Sequence, residues 1–157
     1  MLKLLTFAAL ALVALLLYAG PANAAEEFKF TTTLTALNPV TGTVTGDTDA
    51  TGKAEFTILP EAGLICYELE AEGITEPTEP APGLGSAHIH FLPGGGIAVD
   101  LESDFTLDQG GDEFKSSGCV EADSEVIEAI LAHPDAFYVN IHNVEFPGGA
   151  LAGTLSG

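Results

Sequence analysis

The sequence contains no arginine, and its only cationic side chains are four lysines set against 23 aspartates and glutamates, for a formal net charge of −19. A protein that binds a polyanion needs clustered Lys or Arg to displace counterions from phosphates. Scattered lysines cannot do this, so nucleic acid is excluded as a partner. Long apolar runs are also scarce. The one extended run, Leu4 to Leu17, is shorter than the roughly 20 residues that a membrane-spanning helix requires. Cysteine is limited to Cys66 and Cys119, which lack the CxxC spacing of a soft metal site.

What is present begins with a leader. Met1-Leu2-Lys3 gives a positive start, the apolar run follows, and Ala22-Asn23-Ala24 supplies small residues at a cleavage position. These three parts predict a signal peptide over residues 1–24 and a single exported domain over residues 25–157, secreted or periplasmic, with no membrane role after cleavage. In an oxidising compartment the two cysteines are expected to pair. Closing a loop of about 54 residues would disfavour the unfolded chain by roughly 4 kcal/mol.

Alternation with a period of two dominates the exported part. Phe28, Phe30, Thr32, Leu34 and Ala36 share one side of a first segment, and Ala54, Phe56 and Ile58 one side of a second. From Leu64 to Glu72, Ile65, Tyr67, Leu69 and Ala71 alternate with Cys66, Glu68, Glu70 and Glu72, which reads as an apolar-in, acid-out strand. Further strands are predicted over 87–92, 97–101, 104–107, 113–119, 136–142 and 150–155. Gly-rich turns such as Pro93-Gly94-Gly95-Gly96 and Pro147-Gly148-Gly149 separate several of them, and the proline-bearing stretch 73–86 reads as an extended surface loop. One helix is expected after Asp123 or Ser124, with Val126, Ile127, Ile130 and Leu131 as its apolar stripe and Pro134 beyond its end. Many short strands and one short helix predict an all-β Greek-key sandwich or barrel.

The candidate chemistry lies in two strands. In Ala87-His88-Ile89-His90-Phe91, alternation puts Ala87, Ile89 and Phe91 on the core side and both histidines on the other. In Phe137-Tyr138-Val139-Asn140-Ile141-His142 it directs Tyr138, Asn140 and His142 away from the core. Two histidines at i and i+2, joined by a third from a neighbouring strand, make a three-nitrogen site for copper or zinc. The competing reading is a polar sheet face in which the same histidines hydrogen-bond to Tyr138, Asn140, nearby loops and water. Asp47-Thr48-Asp49-Ala50-Thr51-Gly52 imitates the first half of a calcium loop, but Ile58 stands where the closing glutamate would be. It is read as an acidic turn with at most weak calcium binding. Gly83-Leu84-Gly85-Ser86-Ala87 lacks the residue order of a nucleophile elbow, and Gly94-Gly95-Gly96 lacks a phosphate-loop lysine.

Four blocks, in this order, carry a family resemblance: Leu64-Ile65-Cys66-Tyr67-Glu68-Leu69, Ala87-His88-Ile89-His90, Ser117-Gly118-Cys119-Val120, and Tyr138-Val139-Asn140-Ile141-His142-Asn143-Val144-Glu145-Phe146-Pro147-Gly148-Gly149. Together they resemble the CHRD domain family, named from chordin, an extracellular antagonist of bone morphogenetic proteins, and found in many secreted microbial proteins. The resemblance implies an immunoglobulin-like or superoxide-dismutase-like β-barrel outside the cytoplasm, with no established catalytic activity and with Cys66 and Cys119 as a cysteine pair. By analogy it also implies an extracellular or cell-envelope protein as partner. The sequence departs from the family pattern at Leu37-Asn38-Pro39-Val40 and at Ala150-Leu151-Ala152-Gly153. The expected function is therefore a binding or structural module with a metal site at His88, His90 and His142. The rival is a copper- or zinc-dependent redox protein, because a His-x-His strand on a Greek-key barrel looks like part of the copper site of copper–zinc superoxide dismutase. The only other histidine, His133, sits at a helix end and leaves that enzyme's larger set incomplete.

Overall fold

A computed structural model describes residues 26–155; the leader predicted over 1–24 lies outside them. The strands are β1 (Phe28–Leu34), β2 (Leu37–Asn38), β3 (Thr43–Val44), β4 (Thr51–Leu59), β5 (Leu64–Glu72), β6 (Ala87–Phe91), β7 (Ile97–Asp100), β8 (Thr106–Leu107), β9 (Glu113–Glu121), β10 (Phe137–Ile141) and β11 (Leu151–Thr154), with one α-helix, α1 (Ser124–Ala132). All named strand pairs are antiparallel.

Two sheets form the sandwich. The larger has the order β1-β4-β5-β9-β8 and the smaller β11-β10-β6-β7, while β2 and β3 make a separate small hairpin. The chain changes sheet between β5 and β6, between β7 and β8, and between β9 and β10, which gives the Greek-key character expected of an all-β chain. Backbone hydrogen bonds in both directions between Thr35 and Ala152 join the end of β1 to β11 across the seam.

The core forms where the alternation puts it, except that Phe91, expected on the core side, is 41 % exposed at the end of β6, with its ring against that of Phe137. Leu34, Ala54, Phe56, Ile58, Ile65, Tyr67, Leu69 and Ala71 of the larger sheet meet Ala87, Ile89, Val99, Phe137, Val139, Ile141 and Leu151 of the smaller one. Each large aliphatic side chain removed from water there contributes about 1.5–3 kcal/mol before the entropy of ordering it is subtracted. Ile127 and Ile130 of α1 are buried, whereas Val126 and Leu131 are only partly covered. The helix packs beside the 3-10 turn Pro60–Ala62 that links β4 to β5, and so closes that end of the sandwich.

Cys66 and Cys119 are directly opposite one another in β5 and β9 and are disulfide-bonded. They belong to the outward-facing set of the larger sheet, together with Glu68 and Glu70. The 73–86 connection is less of a surface loop than its prolines imply. Ile74 and Pro77 are buried, and Asn143 donates from Nδ2 to Thr75 Oγ1, because the segment folds back against the end of β10. No helix among the described residues is long and apolar enough to cross a membrane.

Candidate metal centre

Strand β6 is paired with β10, so the two histidine-bearing segments are neighbours. His88 lies opposite Asn140 and His90 opposite Tyr138. His142 falls just beyond β10, where its N–H donates to the Ser86 carbonyl, and this places it diagonally next to His88. One nitrogen from each of His88, His90 and His142 lies within 4.8 Å of the other two, and among the described residues this is the only such gathering of three or more histidine, cysteine or acidic side chains. Ile89 and Ile141 are buried in the core, as the alternation requires.

The surroundings of these residues differ from the sequence expectation. The imidazoles do leave the apolar core, yet they do not reach water. His88 is 0 % exposed, His90 7 % and His142 5 %, and Asn140 and Tyr138 are equally covered. The outer face of the smaller sheet is roofed by the turns that follow its strands. Gly95, at φ 70°, and Gly149, at φ 118°, occupy backbone conformations that favour glycine, and they turn these two loops back over the sheet. Nδ1 of His90 is 2.9 Å from the Gly95 carbonyl, and Nδ1 of His142 is 2.9 Å from the Pro147 carbonyl. Gly149 lies against Asn140, where a Cβ would stand 3.3 Å from the amide nitrogen. The ring of Tyr138 stacks on His90 at a centroid distance of 5.0 Å.

These contacts decide the tautomers. A carbonyl only accepts, so His90 and His142 each carry their proton on Nδ1 and present a lone pair at Nε2. Nε2 of His90 is 3.0 Å from Asn140 Oδ1; turning that side-chain amide over would set its NH2 opposite the His90 lone pair. Nε2 of His142 is 3.2 Å from Nδ1 of His88. On the far side of the His88 ring, Nε2 has no hydrogen-bond partner and faces Asp100 Oδ1 at 3.8 Å.

No placement of the single proton on a neutral His88 satisfies this arrangement. On Nδ1, the proton bridges to His142 but leaves a bare Nε2 in front of a carboxylate. On Nε2, two lone pairs confront each other at 3.2 Å. A second proton on the cluster would repair the mismatch, but burial works against it. Desolvation pushes His142 down to about 4, helped by His88, and lowers His88 as well, against the opposing pull of Asp100 and the Gly85 backbone. Burial thus favours the neutral forms of His88 and His142, and no single proton on His88 matches both of its ring nitrogens.

Sequence reasoning missed Asp100, the Gly95 and Pro147 carbonyls and the burial itself. Asp100 was accessible in principle: a hairpin folded about Pro93–Gly96 brings it opposite His88, as observed. The calcium-like turn shows no ligand gathering. Asp47 Oδ1 accepts from the Asp49 N–H, an Asx turn that the local chain satisfies by itself.

Fold and site together define a class: an antiparallel Greek-key sandwich carrying a loop-covered histidine cluster on the outer face of one sheet. The chain belongs to the CHRD domain family, whose family model matches residues 30–155. No curated protein and no solved structure matches it.

Proposed function

We propose that this protein is an exported CHRD-domain binding module that holds one copper or zinc ion on His88, His90 and His142. The observation that carries the reading is the buried trio of imidazoles in which no single proton on His88 satisfies both of its ring nitrogens. Two nitrogens bound tetrahedrally at about 2.05 Å from a zinc ion stand about 3.4 Å apart, close to the 3.2 Å that separates Nδ1 of His88 from Nε2 of His142. His90 and His142 direct their other nitrogen to backbone carbonyls, as metal-bound histidines do. Three imidazoles with no thiolate or carboxylate in the set suit zinc and copper better than calcium or magnesium.

Three protein ligands leave one coordination position open, but the loops that cover the cluster close it to a substrate from solvent. Burial therefore favours a binding or structural centre over the redox reading. The disulfide is in keeping with an oxidising compartment. A protein partner in the envelope or outside the cell remains part of this reading, and capture from the native extracellular fraction tests it. The metal is tested by elemental analysis of protein purified without chelators, followed by copper and zinc titration of the wild type and His88→Ala. The expected result is one ion per chain, lost in the variant; no stoichiometric ion and an unaltered titration would end the reading.

A further inference from the structure

The geometry points to Asp100 as the positioning residue of this centre: its carboxylate receives the Nε2–H of His88, which leaves the His88 Nδ1 lone pair for the metal. The inference rests on the metal reading above and extends it from the three ligands to the group that selects which nitrogen one of them offers.

Asp100 is held for this task. Its Oδ1 accepts from the Gly85 N–H at 3.0 Å and from the Glu102 N–H at 2.9 Å. Glu102 adopts φ 48°, the one non-glycine residue with positive φ among those described, which turns its N–H back onto the carboxylate. Gly85 admits no side chain here, since a Cβ would stand 2.5 Å from the Ser103 nitrogen and 2.9 Å from Asp100 Oδ1. The carboxylate is thereby fixed in front of His88 Nε2, a fully buried nitrogen that makes no hydrogen bond. Its separation of 3.8 Å is too long for a hydrogen bond, so the carboxylate stands ready beyond bonding distance.

The proton count of His88 then accounts for the arrangement. When a metal occupies Nδ1, the ring's single N–H must reside on Nε2, and Asp100 is the acceptor that favours this tautomer over the alternative. A shift of about 1 Å closes the gap to the 2.7–2.9 Å of a charge-assisted bond. His90 and His142 use carbonyls to make their Nε2 the ligand, whereas His88 uses a carboxylate on the opposite nitrogen and so presents Nδ1. Asp100 also lines an open groove with Pro77, Gly85, Glu102 and Asp104, so it links the enclosed ring to solvent.

The test uses zinc, which is diamagnetic, and the full domain labelled with 15N. Calorimetric titration of the wild type, Asp100→Asn and Asp100→Ala is combined with long-range 1H–15N correlation of the histidine rings. The wild type is expected to show His88 protonated at Nε2 and metal-bound at Nδ1. Asp100→Ala should weaken zinc binding by about 10–100-fold, the range known for partners of metal-bound histidines. Asp100→Asn retains an oxygen for the two backbone donors and should fold like the wild type; it is expected to lose a smaller part of the affinity and to shift the Nε2–H resonance. Zinc bound with wild-type affinity by Asp100→Asn and Asp100→Ala, or His88 bound through Nε2, would overturn the role of Asp100 while leaving the three-histidine site intact. If the wild type takes up no zinc or copper, the site itself falls and this role with it.

Discussion

The outer faces of the two sheets have the same sequence grammar and opposite fates. On β5, Glu68 and Glu72 alternate with buried Leu69 and Ala71 and stand in water. On β6 and β10, His88, His90, Asn140 and His142 alternate with buried Ile89, Val139 and Ile141, yet they are as enclosed as the core. The difference comes from the connections. On the larger sheet β4 and β5 are joined by the short 3-10 turn Pro60–Ala62 at one end, whereas the glycine-bearing loops at 93–96 and 147–149 fold over the smaller sheet. Alternation assigns a side chain to a face; what lies on that face is decided by segments elsewhere in the chain.

Three perturbations probe this contrast beyond the metal experiments above. The largest effect is expected on the wet side. Replacing Cys66 and Cys119 together by alanine removes a cross-link over a separation of 53 residues and should lower stability by about 4 kcal/mol in urea unfolding. Equal midpoints for the double variant and the wild type would show that the disulfide does not restrain the unfolded chain.

The covered side should respond to acid. His142 titrates near 4 in the folded protein against 6.5 in the unfolded chain, so between those values the unfolded state binds more protons. Stability of the metal-free domain is therefore full above about pH 6.5 and declines as the pH falls toward 4, by on the order of 3 kcal/mol for this one group. His88 is shifted in the same direction and adds to the loss. Denaturant midpoints measured from pH 7.5 to 4 check this; His142→Gln should flatten the profile, and an unchanged slope in that variant would contradict the assignment. The smallest effect is predicted for Glu68→Gln on the exposed face, within about 0.5 kcal/mol of the wild type. A loss several times larger would mean that the acid face is not simply solvated.

Much of the architecture was legible in the residues. Period-two alternation located the strands and their inward sets, because a sheet with one apolar face must present it to the core. The apolar stripe and the following proline located α1, although the Asp123 side chain makes no capping bond and Leu131 packs only at the margin. The histidine trio was legible as a face-sharing set. Its convergence was not, since strand order depends on contacts between distant segments. Burial was less legible still: nothing local to His88 announces that Gly95, Pro147 and Asp100 will surround it. The small β2–β3 hairpin also escaped, because Leu37 and Val44 pair across a turn without an apolar face to bury.

The placement of the disulfide has a chemical consequence of its own. Cys66 and Cys119 lie on the exterior of one layer and the imidazoles on the far side of the other, with two facing rows of hydrocarbon side chains between them. Sulfur is the softest donor in the molecule and would compete for copper or zinc if it could approach. The sandwich works here as an insulator: opening the bridge would free thiols on one exterior surface while the nitrogen pocket behind the opposite layer stayed out of their reach.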